Sequence, residues 1–95
     1  METNTGKQIV DNLKLTEKVI ELVVTTLGQD RVKIRSSTPL LSGRKLFDSY
    51  RLMEFILRLE DNFKIRIPDE DLDPDIFETP RTIAKYLLGR LEKDV

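Results

Sequence analysis

Residues 48–70 read DSYRLMEFILRLEDNFKIRIPDE, and they contain the clearest helical pattern in the chain. Asp48 and Ser49 open this stretch, and both residue types cap helix N-termini. Charged and apolar residues alternate in Lys-Ile-Arg-Ile at 64–67, and Pro68 follows. The helix is therefore expected to end at Asn62 or Phe63. Its apolar side chains recur at the spacing that places them on one face of an amphipathic helix: Leu52, Phe55, Ile56, Leu59 and Phe63.

Two further helices are predicted on either side of this stretch. The first covers Leu15 to Leu27, with Thr16 as its N-cap and Gly28 at its C-terminal end, although its β-branched residues would also suit a strand. The last helix follows Thr79-Pro80, an N-cap residue before a proline in the first turn. Its buried face is expected to consist of Ile83, Tyr86, Leu87 and Leu91.

The segments between these helices lack a sustained period. Residues 29–48 contain Ser, Thr, Pro and Gly clusters that indicate a long loop, and loops of this length tend to be functional. The acidic stretch 69–77 suits a short helical turn or an ordered loop. We therefore predict an all-α bundle of three main helices plus one short helix, with the long loop between the first two main helices. Residues 13–93 form the domain, and residues 1–12 form a polar extension that is either disordered or an added helical turn.

Composition excludes several classes of function. The chain has 95 residues, which is enough for one domain, and it contains no cysteine and no histidine. It therefore lacks thiolate nucleophiles, zinc–thiolate sites and Ser-His pairs, so we expect no catalytic residues, no metal site and no enzyme activity. A net charge of -1 does not favour nucleic acid or an anionic membrane as a partner. No apolar run could span a bilayer and no secretion signal is visible, so we expect a cytoplasmic monomer.

Two features of the middle helix have alternative explanations. Ser49 is an ordinary N-cap, or it is both a cap and the attachment point of a phosphate, which the helix dipole and unpaired N–H groups at that position would stabilise. Tyr50, Met53 and Leu57 form a second apolar stripe, offset from the first. This strip either packs beside the core or forms an exposed surface for a partner protein.

Residues 48–54 (DSYRLME), 59–63 (LEDNF) and 65–70 (IRIPDE) resemble acyl and peptidyl carrier proteins in motif and spacing. The resemblance extends from about Leu15 to Leu91 and implies that residues 13–93 are a carrier domain. It further implies that Ser49 carries 4'-phosphopantetheine, transferred from coenzyme A by a magnesium-dependent phosphopantetheinyl transferase, and that its thiol holds the cargo as a thioester. An acyl- or aminoacyl-loading enzyme and downstream transferases would then contact the exposed side of the second helix: Asp48, Tyr50, Arg51, Met53, Glu54 and Leu57.

The chain departs from the family pattern at several positions, and these departures bear on the pathway in which the carrier acts. Tyr50 replaces the commoner leucine, and no glycine precedes Asp48; residues 46–49 (LFDS) instead resemble D-alanyl carrier proteins and related stand-alone aminoacyl carriers. Arg51, Arg58 and the nearly neutral net charge count against housekeeping fatty-acid synthesis. The alternative function is an unmodified helical interaction module that uses the Tyr50/Met53/Leu57 strip. The sequence does not identify the cargo.

The charges are also unevenly distributed. Residues 31–45 contain five basic and no acidic side chains, whereas residues 69–78 contain only acidic ones among their charged residues. Either both clusters are simply solvated surface, or they set the polarity with which the protein docks to its partners.

Overall fold

The computed structural model describes residues 4–28 and 33–93. These residues form helices and connecting segments, and no strand occurs among them. The predicted all-α bundle of three main helices and one short helix is confirmed, the short helix being a single 3-10 turn. In chain order the elements are α1 (Asn4–Leu27), α2 (Ser49–Phe63), the 3-10 turn (Asp69–Asp71) and α3 (Pro80–Lys93).

The core lies where the apolar faces of the three helices meet. On α2 the predicted face is confirmed, with Phe55, Ile56 and Leu59 buried. Val19 and Val23 on α1, like Ile83 and Leu87 on α3, are fully buried. Complete burial of such side chains stabilises a fold by about 1.5–3 kcal/mol each, so these faces determine how the helices pack.

Helix α1 is longer than the sequence pattern predicted, and Thr16 is not its N-cap. The helix begins at Asn4, and Thr16 lies buried within it, where its hydroxyl donates to the Asn12 carbonyl at 2.8 Å. No proline interrupts residues 4–15, so the helix continues through the polar segment. The predicted end is confirmed, because Gly28 has φ +68° and donates its N–H to Val24 O at 3.0 Å.

Backbone hydrogen bonds attach the described part of the long loop to α3 and to the segment just before it. Leu40 and Phe47 are buried, and Phe47 N donates to Leu40 O at 3.0 Å. Leu40 N donates to Glu78 O at 2.7 Å, and Arg81 N donates to Ser36 O at 3.0 Å. The described part of the loop, residues 33–48, is therefore anchored to the bundle by its buried side chains and these bonds.

A polar cluster attaches the 3-10 turn to α3. The Tyr86 hydroxyl donates to Asp71 Oδ2 at 2.6 Å, and Arg90 Nη1 donates to the Tyr86 hydroxyl at 3.0 Å. The same Arg90 nitrogen lies 3.7 Å from Asp71 Oδ2. Burial and, next, the hydrogen bond to Asp71 raise the pKa of Tyr86 above its ordinary value of 10.0.

We predict that Phe55→Ala destabilises the fold by about 3–5 kcal/mol, because it removes a fully buried ring and leaves a cavity. The matched control is Tyr50→Ala on the same helix, whose ring is exposed and whose loss should change stability by no more than about 0.5 kcal/mol. Urea unfolding followed by circular dichroism measures both. Equal losses in the two variants would contradict the assignment of the core face.

The Tyr86 cluster predicts a loss of stability at alkaline pH. A raised pKa in the folded state means that the neutral phenol contributes stability at pH values below 10.0, and that this contribution is lost as the pH rises further. Tyr86→Phe should lower the stability at neutral pH by about 1–3 kcal/mol, since the hydrogen bonds of the hydroxyl to Asp71 and from Arg90 are both lost. Its stability should then decline less steeply than that of the wild type above pH 10.0. Parallel pH profiles of the unfolding midpoint would contradict this role of Tyr86.

Candidate functional site

Asp48, and not Ser49, is the N-cap of α2. Asp48 has extended backbone angles (φ -87°, ψ -177°), and its Oδ1 accepts a hydrogen bond from Arg51 N at 2.8 Å. Its carbonyl accepts from Leu52 N at 2.9 Å, the first bond of the helix. Because Asp48 takes the capping role, Ser49 becomes the first helical residue. This corrects the interpretation of Ser49 as a cap.

The Ser49 hydroxyl is consequently available. The residue is exposed, and its side chain makes no hydrogen bond within the described part of the chain. The backbone N–H groups of Ser49 and Tyr50 also have no acceptor among the described residues, as expected for the first turn of a helix. Unpaired donors at the positive end of the helix dipole stabilise an anion, so this position suits a serine that bears a phosphodiester.

Two tertiary contacts hold this end of α2 in place. The Phe47 ring is buried with its centroid 5.0 Å from that of Phe55. Arg51 Nη1 donates to the Thr26 carbonyl at 2.6 Å, which satisfies an acceptor in the last turn of α1. No sequence signal indicated this bond, because the two residues are 25 positions apart. The guanidinium of Arg51 is thus engaged within the chain, and its assignment as a partner contact stays a prediction.

The second apolar stripe of α2 faces solvent. Tyr50 is 75% exposed, Met53 50% and Leu57 60%. Large apolar side chains are usually buried, because burial removes them from water. Three of them exposed on one helix therefore favour a surface for a partner protein over packing beside the core. Glu54, beside this strip, lies 3.4 Å from Arg58 in an i,i+4 ion pair.

A surface cavity of about 620 Å³ lies beside the strip, between α2 and the segment that follows it. Met53 and Leu57 line its α2 side, and Ile67 lines the other side. The Glu60 carboxylate accepts the Ile67 N–H at 2.7 Å and so holds this segment against α2. The sequence motif contained Glu60, but nothing in the pattern indicated that it bonds to the backbone seven residues later.

Neither a metal site nor a membrane-spanning helix is found in the described part of the chain. Within 4–28 and 33–93, no three carboxylates come together in a geometry suited to a metal ion. None of the helices in these ranges is long and apolar enough to cross a membrane.

Residues 17–87 match the family model described as "Phosphopantetheine attachment site". The chain belongs to the acyl carrier protein family. An acyl carrier protein of Bdellovibrio bacteriovorus is 30% identical over 70 residues, which cover 74% of this chain and 86% of that protein. An acyl carrier protein of Chlorobium phaeobacteroides is 32% identical over 60 residues, covering 63% of this chain and 76% of that protein.

Membership of the family establishes the general character of the protein. It is a carrier and not an enzyme, and its cofactor is a covalently attached 4'-phosphopantetheine. Its partners are a phosphopantetheinyl transferase and acyl-handling enzymes. The residues at the start of α2 fit such a group, because an exposed hydroxyl lies beside unpaired N–H donors.

We predict that the capping role of Asp48 can be separated from its charge. Asp48→Ala removes the acceptor for Arg51 N and should cost about 1 kcal/mol of stability. Asp48→Asn keeps a side-chain oxygen that caps about as well, so its cost should be within about 0.5 kcal/mol of zero. Thermal and urea unfolding of both variants measure the difference. If Asp48→Asn were as unstable as Asp48→Ala, the carboxylate charge and not the cap would be the stabilising feature.

Proposed function

We propose that Ser49 is the attachment point of the 4'-phosphopantetheine group. The observation that carries this proposal is that Asp48 caps α2, which leaves the Ser49 hydroxyl exposed and without a hydrogen bond among the described residues. Ser49 also lies within the matched range 17–87. The chain has three other serines, and all of them lie in the long loop and not at the start of a helix.

The role of the chain in this function is to hold and present the group. When bound, the group supplies a terminal thiol that carries the cargo as a thioester. The first-turn N–H groups of Ser49 and Tyr50 stabilise the phosphodiester charge, and the Asp48 cap keeps them at the surface. The sequence contains no cysteine or histidine that could attack or hydrolyse the thioester. Tethering raises the concentration of cargo at each docked active site without any catalysis by the carrier itself.

We further propose that partner enzymes dock on the exposed side of α2. Support comes from the exposure of Tyr50, Met53 and Leu57, which lie on the same helix as Ser49. Asp48 and Glu54 add carboxylates to this surface. Charge at such a surface mainly sets specificity and the rate of encounter.

The sequence supports a dedicated pathway, with an acyl or aminoacyl cargo, over housekeeping fatty-acid synthesis. Tyr50 directly follows Ser49, α2 contains two arginines, and the net charge of the chain is only -1. These features imply partner surfaces that differ from those suited to a strongly acidic carrier. The cytoplasmic location and the monomeric state stay predictions.

Intact-mass spectrometry tests the attachment site. The purified protein is incubated with coenzyme A, magnesium and a broad-specificity phosphopantetheinyl transferase. The wild type should gain one phosphopantetheine adduct, and Ser49→Ala should gain none. Ser37→Ala is the matched control, because Ser37 is an exposed serine of the loop, and this variant should be modified as completely as the wild type.

The results of this experiment distinguish the carrier function from the unmodified interaction module. An adduct that persists in Ser49→Ala, with peptide mapping to another serine, would overturn the assignment of Ser49. A wild type that remains unmodified with several transferases would instead favour the unmodified interaction module. Circular dichroism of Ser49→Ala checks that a missing adduct does not result from unfolding. We expect this variant to fold, because the Ser49 side chain makes no hydrogen bond within the described part of the chain.

A further inference from the structure

The loop between α1 and α2 carries a basic surface that the carrier function does not explain. Lys33, Arg35, Arg44 and Lys45 are all exposed. Within the described residues, no carboxylate lies within salt-bridge distance of any of them. Residues 31–45 contain no acidic side chain at all. The loop therefore presents a local positive charge that the described carboxylates do not neutralise by direct pairing.

An open cleft of about 430 Å³ lies within this basic surface. Lys33 and Arg44 are among its lining residues, and they contribute its charge. Apolar side chains provide the rest of the lining, namely Ile34, Pro39 and Leu46. A cleft that combines an apolar surface with cationic side chains suits a segment with both an apolar side chain and carboxylates.

The backbone around the cleft is held by local hydrogen bonds. Arg35 N donates to Thr38 Oγ1 at 2.7 Å, and Thr38 N donates back to Arg35 O at 3.1 Å. On the other side of the cleft, Lys45 N donates to Ser42 O at 3.2 Å. Ser42 itself donates to the Glu78 carboxylate. Because the backbone at these described residues is already held, a ligand that binds here loses little free energy in fixing it.

We propose that this cleft docks an acidic segment of a protein partner, with an apolar side chain of that segment inserted between Lys33 and Arg44. The charge of the surface selects a compact acidic segment over an extended polyanion. Glu78 is bonded directly to the loop at Ser42, and it ends a stretch that contains six carboxylates and no basic residue. A membrane or nucleic acid that covered the loop would approach the Glu78 carboxylate and be repelled by it, whereas a short segment contacts only the cleft.

This surface does not depend on phosphopantetheine, so it goes beyond the proposed function. It nevertheless lies next to the candidate site along the chain, because Leu46 lines the cleft and Ser49 begins the following helix. Loop residues line the cleft, whereas the strip consists of α2 residues, so a partner held in the cleft would contact a different surface from the strip. The opposite charges of the loop and of residues 69–78 would orient such a partner as it approaches.

A binding experiment with the full chain tests this proposal. The probe is a fluorescein-labelled synthetic peptide in which glutamates flank two leucines, titrated into isotope-labelled protein and followed by fluorescence anisotropy and NMR. We expect chemical-shift changes at residues 33–46 and weaker binding as salt is added. The charge-reversal variant Lys33→Glu/Arg44→Glu should bind about tenfold more weakly or worse. The matched control Lys14→Glu/Lys85→Glu also reverses two exposed lysines, on α1 and α3, and should bind like the wild type.

Three results would overturn the proposal. The first is equal binding by the charge-reversal variant and the control, and the second is a set of shift changes confined to α2. The third is preferential binding to vesicles that contain anionic lipid, with no binding of the peptide. A peptide in which lysines replace the glutamates should fail to bind. Ser49→Ala should bind the acidic peptide normally, so a failure of the attachment-site proposal is distinguishable from a failure of this one.

Discussion

Burial of Phe47 against Phe55 attaches the end of the long loop to α2, and the geometry of the candidate site depends on this contact. Phe47 immediately precedes Asp48, so a ring fixed in the core also fixes where the helix begins. Asp48 then meets the unpaired N–H of Arg51 and caps the helix. Ser49 is left as the first helical residue, facing solvent with its hydroxyl available. A core contact of ordinary type thus determines which of two neighbouring polar residues caps the helix and which keeps a side chain without a hydrogen bond among the described residues.

The same arrangement explains how a chain without histidine or cysteine can take part in acyl chemistry. Its contribution is positional, because it presents a tethered group and leaves catalysis to its partners. The bond from Arg51 to the Thr26 carbonyl ties the site to α1, while Glu60 holds the segment after α2. These contacts attach both ends of α2, the helix that begins at Ser49, to neighbouring segments. A surface already held in place costs a docking partner less free energy to order.

Charge distribution distinguishes this carrier from a uniformly acidic one. One of the two α2 arginines, Arg51, is engaged with α1, and the other, Arg58, pairs with Glu54. The Tyr50/Met53/Leu57 strip is therefore mainly apolar, with modest local charge. The larger charges lie elsewhere, with positive side chains on the loop and carboxylates in residues 69–78. Ser42 donates to Glu78, so the end of the acidic stretch lies next to the basic loop, and the two regions offer partners charges of opposite sign.

The sequence by itself determined the three helices, their buried faces and the motif that identifies the family, because apolar periodicity and helix-ending residues act over a few neighbouring positions. Gly28 at the end of α1 and Pro80 at the start of α3 are signals of this local kind. The tertiary structure alone decided which of two similar cap residues caps α2. It also decided that Arg51 faces α1. Such outcomes depend on partners distant in sequence or on competition between two similar cap residues, and no local pattern records either.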